Sequence, residues 1–311
     1  MPDSNSHGAL ARLLFNRQIA VEIAKNVAMG STLVRDWRLR RPRTTISNAD
    51  PAKDVIERYA LALPRKLLAT LGSVKGLVIA EIGPGDHIAT GFAMLAAGAQ
   101  SYTCLDRFPG EYGNSYAKGF YRGVKKAWPQ VFPELPWPPW LDPDRFPESY
   151  PERVKVLKVG VEATAGSTQL AAEHDLVCSY AVGEHVQDVR SFARTSFQVL
   201  KPGGVALHVV DFSQHYDWSR WGDKFLYLSI PDRVWEWMGS NRGLPNRVRF
   251  HEFLAALEGV GFEVETHGRR LAEDSPAPAR LLPRFRAMPL DSVRTLDATF
   301  LCRRGYLTVS K

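Results

Sequence analysis

The chain has 311 residues, a formal net charge of +7 and 45% hydrophobic residues, a length and balance suited to an enzyme-sized core and not to a disordered or fibrous chain. Three scattered cysteines, Cys104, Cys178 and Cys302, exclude a disulfide framework and a C-x-x-C zinc site, and read as small buried hydrophobes. No apolar run reaches the roughly 18 residues that cross a bilayer, and no leader pattern opens the chain, so a reducing cytoplasm is the expected compartment.

Residues 9–29 repeat apolar positions at steps of three and four, which predicts a helix stopped at Gly30. Arg12, Arg17, Glu22 and Lys25 interrupt it too often for a membrane span. Such a helix covers the domain, pairs with another subunit in a homo-oligomer, or lies on a membrane surface; packing is the expectation. Residues 1–76 hold 13 Lys and Arg against 6 Asp and Glu, and five arginines crowd into Arg35–Arg43. A basic patch of this kind suits nucleic acid or another anionic surface, although most charge runs are solvated faces. A second helix is predicted over 51–71, with Asp50-Pro51 as cap and first turn.

The core then alternates strands near 77–82, 101–106, 154–159, 174–180 and 204–212 with helices near 87–98 and 187–200. A helix at 250–260 and strands near 262–267 and 299–309 follow. This alternation predicts a doubly wound parallel sheet. The first strand runs Val78-Ile-Ala-Glu-Ile-Gly-Pro-Gly-Asp86. Glycine at a strand's carboxyl end lets the backbone approach a ligand that a Cβ would push away. The next strand, Ser101-Tyr-Thr-Cys-Leu-Asp106, ends in an acid placed for two ribose hydroxyls. A dinucleotide fingerprint wants a third glycine where Ile88 stands, which makes a nicotinamide cofactor a poor fit.

Downstream lie His174-Asp-Leu-Val, Glu184-His-Val and Leu200-Lys-Pro-Gly-Gly204, in that order. With the glycine turn, these resemble the class I S-adenosylmethionine-dependent methyltransferases over about residues 75–310. The departure is His87, where the family usually has its third glycine. The resemblance implies a Rossmann-like α/β fold: a seven-stranded, mostly parallel sheet with an antiparallel last strand. It divides the chain into an N-terminal helical extension (1–75) and a cofactor-binding domain (76–311), with lid insertions at about 107–150 and 213–249. It also implies S-adenosylmethionine at a defined set of residues. Gly83 and Gly85 form the turn, with Asp86 at the helix start offering N–H groups to the methionine carboxylate. Glu81 faces the methionine amino group and Asp106 takes the ribose. Glu162 is a candidate for the adenine edge, and Ser179 and Tyr180 line the methionine side.

Both insertions leave from the carboxyl edge, where ligands of open α/β sheets bind. They or their borders carry Trp128, Trp137, Trp140, Trp218, Trp221, Trp235 and Trp237, and eight prolines stand between Pro129 and Pro151. Aromatics at this density form a satellite core, a wall for a sugar ring or apolar ligand, or both. Methyl transfer to a hydroxyl gains from a general base, and the candidates are His208, Asp211 and His215 in and after the fifth strand, and His185 after the fourth. His208 lies mid-strand, where a core histidine is the plainer reading; Asp211 and His215 are better placed. No metal site is assigned, and a divalent ion on some of these residues stays an open alternative.

The segment His208-x-x-Asp211-x-x-x-His215 and the run Asn246-Arg247-Val-Arg249 also resemble a bacterial methyltransferase subgroup associated with sugar or surface-glycan modification. Arg247 then pairs an acidic substrate group, or braces the lid against Asp232 or Glu236. The expected activity is O-methylation of a small-molecule or carbohydrate acceptor. Rival readings are an RNA or other nucleic-acid methyltransferase using the Arg35–Arg43 patch, and a non-catalytic protein that keeps the cofactor fold.

Overall fold

The computed structural model describes residues 4–39, 50–164, 171–215, 224–276 and 280–306. Seven strands form one sheet: β1 (Val78–Ile82), β2 (Ser101–Asp106), β3 (Val154–Lys158), β4 (His174–Tyr180), β5 (Leu200–Asp211), β6 (Phe262–Leu271) and β7 (Thr295–Arg304). Their order is β3-β2-β1-β4-β5-β7-β6, with β1 to β5 parallel and β7 antiparallel to both neighbours. The chain winds outward from β1 to β3 and returns at β4. The order therefore reverses between β1 and β4, and a crevice opens at their carboxyl ends. The fifth strand starts earlier than its sequence suggests. His174 pairs with Leu200, and the register then jumps to Leu176 with Val205 across the Lys-Pro-Gly-Gly turn.

The helices are α1 (Ser4–Gly30), α2 (Thr32–Leu39), α3 (Lys53–Ile56), α4 (Ala62–Leu71), α5 (Ala89–Ala96), α6 (Ser115–Val131), α7 (Val161–Thr164), α8 (Val189–Val199), α9 (Asp232–Gly239), α10 (Phe250–Glu258), α11 (Pro283–Arg286) and α12 (Leu290–Arg294). A π-helical turn, Glu57–Leu61, joins α3 to α4. Successive strand residues face opposite sides of the sheet. Ile79, Tyr102 and Cys178 pack under α3 to α6, whereas Ala80, Val177 and Ala206 pack under α8 and α10. Burial on both faces explains why Val78-Ile-Ala in β1 and Leu176-Val-Cys in β4 do not alternate apolar with polar. All three cysteines are buried and free.

Two segments differ from the aperiodic lids expected between strands. The first insertion contains α6, capped by Asn114, whose Oδ1 accepts the Ala117 N–H at 2.8 Å. Its buried face, Ala117, Phe120, Tyr121, Val124 and Trp128, repeats at helical spacing that the neighbouring prolines obscured. The proline-rich stretch then folds back on α5, with Trp137 4.9 Å from Phe92 and Phe146 4.8 Å from it, ring to ring. Phe92 and Phe146 are fully buried, and burial of such a side chain contributes roughly 1.5–3 kcal/mol of transfer free energy. The second insertion supplies Tyr227, Leu228, Trp235 and Met238 to a separate core that Phe285 of α11 completes, and Phe15, Ile19 and Ile23 of α1 pack onto it. Polar ties fix the same junction. The Asn26 Nδ2 donates to the Trp237 carbonyl at 2.9 Å, its Oδ1 accepts from the Asn241 N–H at 2.8 Å, and Glu22 pairs with Arg242. The packing role expected for the first helix is thus the one seen. Trp218 and Trp221 lie outside the described residues, as do the backbone from Arg40 to Arg43 and the Arg35 and Arg38 side chains of the basic cluster. No described helix is long and apolar enough to cross a membrane.

Candidate active site

The turn after β1 follows from its glycines. Gly83 and Gly85 have φ of +68° and +79°, a region that side chains disfavour. A Cβ on Gly83 would lie 2.8 Å from Val182, whereas one on Gly85 would enter open space. The end of β2 is locked to this turn. The Gly83 N–H donates to the Leu105 carbonyl at 2.9 Å, and the Asp106 carboxylate accepts the N–H groups of Gly85 at 3.0 Å and Phe108 at 2.7 Å. These bonds aim Asp106, and a carboxylate accepts up to about four hydrogen bonds. Helix α5 begins at Ala89, so Asp86 sits in the turn ahead of the helix and not at its first residues.

Glu81 is buried beneath the turn and accepts the Tyr102 hydroxyl at 2.5 Å. Burial pushes its pKa up to about 7, while hydrogen bonds from Tyr102 and Thr90 pull the other way. Gly91 makes room for this pair: a Cβ there would stand 2.6 Å from the Tyr102 ring. The sequence reading passed over Gly91 because it lies beyond the fingerprint spacing. His87, in place of the family's glycine, stacks on Phe120 at 4.3 Å, and burial lowers its pKa to about 4. It is a neutral packing ring against the helical layer.

At the switch point lies a cleft of about 520 Å³. Gly83, Asp106, Phe108 and Glu162 line one side, and Glu162 also accepts the Gln187 N–H at 3.2 Å. His185, Trp235 and Asn246 line the other. Phe108, left exposed beside Asp106, was not singled out from the sequence; its position directly after the acid was the available signal. A planar wall, an aimed carboxylate and a turn with a vacant Cβ direction make a donor and acceptor set that fits a nucleoside cofactor.

Four candidate bases separate into two environments. His208 is fully buried, with Nδ1 2.9 Å from the Ser179 hydroxyl and Phe192 edge-on at 4.8 Å. Burial lowers its pKa to about 3, and neither His208 nor Ser179 lines the cleft. Tyr180 is half-buried beside the helical core. By contrast, His185 lines the cleft, and its ring centroid lies 4.8 Å from that of His215. His215 Nε2 is 3.8 Å from Asp211 Oδ2 and 3.7 Å from Glu184 Oε1. Desolvation holds the His215 pKa below the usual imidazole range, opposed by the charge of Asp211. His185 is open along one edge, yet the atoms crowding its other side also keep its pKa low, with His215 adding to the effect. Burial raises Glu184 to about 8. Glu184 was not singled out as a site residue from the sequence, where it appeared only as part of Glu184-His-Val.

The Asn-Arg-x-Arg run is structural scaffolding for this wall. The Asn246 amide donates to the carbonyls of Gly183 at 2.9 Å and Val186 at 3.0 Å, stapling the loop that carries Glu184 and His185. Arg247 is buried, donates to the Ile230 carbonyl at 2.6 Å, pairs with Asp232 and stacks 4.8 Å from the Trp235 ring. That is the lid-bracing alternative. Arg249 is 1% exposed and donates to the carbonyls of Phe212, Val293 and Thr295 and to the Tyr227 hydroxyl. Trp235 likewise donates its Nε1–H to the Pro245 carbonyl at 2.8 Å.

A family model for a methyltransferase domain matches residues 52–267. No curated protein matches the chain in sequence. Similar solved structures include a Bacillus halodurans C-125 protein described as a methyltransferase, 14% identical, covering 78% of this chain and 98% of that one, with a TM-score of 0.42. An S-adenosylmethionine-dependent methyltransferase from Mesorhizobium loti is 19% identical, with 83% and 100% covered and a TM-score of 0.39. An arsenic(III) S-adenosylmethionine methyltransferase from Chlamydomonas reinhardtii is 13% identical, with 76% and 66% covered and a TM-score of 0.41. Likenesses this distant carry nothing about the acceptor.

Proposed function

Because the chain belongs to the methyltransferase-domain family and so uses S-adenosylmethionine, we propose that it transfers the methyl group to a hydroxyl of a small-molecule or carbohydrate acceptor. One observation carries this reading. Gly83, Asp106, Glu162 and His185 line a single cleft, with the His215 ring 4.8 Å from that of His185 and Asp211 beside His215.

Bound in the cleft, S-adenosylmethionine supplies a methyl carbon on a positively charged sulfur. The Gly83–Gly85 turn leaves the backbone open to the methionine end, Glu81 answers its amino group from below, and Asp106 takes the ribose hydroxyls. Phe108 and Glu162 border the base. On the acceptor side, low pKa keeps His215 neutral near pH 7, so Nε2 has a lone pair for the hydroxyl proton. Asp211, 3.8 Å away, stabilises the imidazolium that results. Positioning lowers the barrier by several kcal/mol, and a base adds about 10²–10⁴-fold. His208, sealed in the core, holds the β4–β5 pair through Ser179 and handles no substrate.

Calorimetric titration with S-adenosylhomocysteine tests the cofactor half; one site is expected, and no binding ends the reading. Transfer of a labelled methyl group to a panel of sugars and phenols tests the acceptor half. Products methylated only on nitrogen or carbon would refute the oxygen assignment.

A further inference from the structure

The wall behind the cleft holds more than proton transfer requires. Glu184, His185 and His215 bring a carboxylate oxygen and two imidazole nitrogens within 4.8 Å of one another. Glu184 is 3% exposed, and neither of its oxygens has a hydrogen-bond partner. The N–H groups of Glu184 itself and of Asp211 draw on the carboxylate without closing a hydrogen bond. A buried carboxylate without a partner is costly, and a retained one needs an explanation. His185 gives a second indication. Its Nδ1 lies 2.8 Å from the Gly243 carbonyl. A carbonyl only accepts, so Nδ1 carries the proton and Nε2 is left with its lone pair. A ring fixed through one nitrogen to a main-chain carbonyl is the usual support for a metal-bound imidazole.

We propose that Glu184, His185 and His215 bind a divalent transition-metal cation, three protein ligands that leave the fourth position to water or acceptor. Two imidazole nitrogens with carboxylate oxygen suit Zn²⁺, Co²⁺ or Mn²⁺ better than Ca²⁺ or Mg²⁺, which prefer oxygen throughout. With bonds of about 2.1 Å, tetrahedral ligand atoms stand about 3.4 Å apart. The 3.7 Å between His215 and Glu184 is close to that value, and the three ligand atoms, all within 4.8 Å of one another, converge by side-chain rotation. The ion leaves the Glu184 carboxylate ionised and partnered. Its role rests on the methyl-transfer reading above. An acceptor hydroxyl on the ion loses its proton to solvent water at lower pH, and the oxygen takes the methyl carbon as its bond to sulfur breaks. With the ion bound, the His215 lone pair is spent on it and the ion replaces His215 in lowering the cost of deprotonation; without the ion, His215 is the base.

The test uses the full chain, stripped with a chelator and titrated with ZnCl₂, with Co²⁺ absorption as a second probe. One ion per chain is expected. An outer partner of a metal ligand contributes about 10–100-fold to affinity, so Glu184→Gln and His185→Ala should each weaken binding by about 100-fold or more. His267→Ala, which removes a histidine 3.0 Å from Glu265 elsewhere on the surface, should change nothing. A parallel titration with S-adenosylhomocysteine reports folding of each variant. Failure to take up an ion by protein that binds S-adenosylhomocysteine overturns the proposal, as does equal loss in His267→Ala and Glu184→Gln. Ion binding without S-adenosylhomocysteine binding upholds the site and refutes the methyl-transfer reading instead.

Discussion

Glu81 and Glu184 are two buried carboxylates at the same edge of the sheet, each 3% exposed, and the chain treats them differently. Glu81 is answered inside the protein by Tyr102 and Thr90, and its wall is built from consecutive residues and main-chain bonds after β1 and β2. Glu184 has no such answer, and its wall is assembled from three distant stretches: Glu184–His185, Asp211–His215 and Gly243–Asn246. The first wall is complete before a ligand arrives. The second leaves polar groups whose partners must come from outside the chain, as expected where an acceptor or ion binds.

If the two walls act separately, one substitution should damage chemistry and another should damage cofactor binding. His215→Ala is expected to have the largest effect, lowering turnover by about 10²-fold or more while S-adenosylhomocysteine affinity stays at the wild-type value. A comparable drop in that affinity would merge the walls into one unit. Asp106→Ala should do the reverse. It removes the aimed ribose acceptor and weakens cofactor binding by more than about tenfold, roughly 1.4 kcal/mol. Unchanged affinity in calorimetry would mean that the carboxylate serves only its bonds to Gly85 and Phe108.

The same division decides what the sequence reveals. The β1 turn, Asp106 and the strand order are legible because they are local: glycines, an acid at a strand end, and strands alternating with helices. The acceptor wall is not, since the contact between residues 184 and 215 depends on where β4 and β5 end side by side. His208 is legible for the same local reason: its mid-strand place already favours a core histidine, and the pleat turns it into the core toward Ser179. Helix α6 was hidden for another reason. Its apolar face repeats clearly, but the prolines from Pro129 onward gave the whole insertion the composition of a loop. For Arg247 the sequence leaves a substrate pair and a lid brace both open, and the partners that bury it and Arg249 are not local, since charged residues are rarely buried. Here several main-chain carbonyls and Asp232 receive their donors.

Gly91 offers a finer cut at the first wall. A methyl group there would press on the Tyr102 ring from 2.6 Å, and overpacking of this kind costs about 1–3 kcal/mol. Gly91→Ala should lower the melting temperature and weaken cofactor binding together, because Tyr102 also holds Glu81. A stability loss with intact affinity would detach Glu81 from the cofactor.

The smallest expected effect separates the two acids by pH. Burial raises Glu81 from 4.5 to about 7 and Glu184 from 4.5 to about 8. A carboxyl raised by folding favours the folded state fully below its unfolded pKa, and that advantage is lost as pH rises through the folded value. Glu81 finishes this loss near pH 7, whereas Glu184 continues to about pH 8. The lowered histidines, His87, His185, His208 and His215, run the opposite way: their contribution is present above 6.5 and is lost as pH falls. Between pH 7 and 8 the slope of stability therefore reports chiefly on Glu184. In chelator-treated protein, the unfolding free energy from denaturant titration should fall across that interval by up to about 1 kcal/mol, since one proton corresponds to about 1.36 kcal/mol per pH unit. Glu184→Gln should flatten the fall and Glu81→Gln should leave it in place. The same slope in all three proteins would mean that the acceptor-side carboxylate already has a partner within the chain, and the contrast between the two walls would not stand.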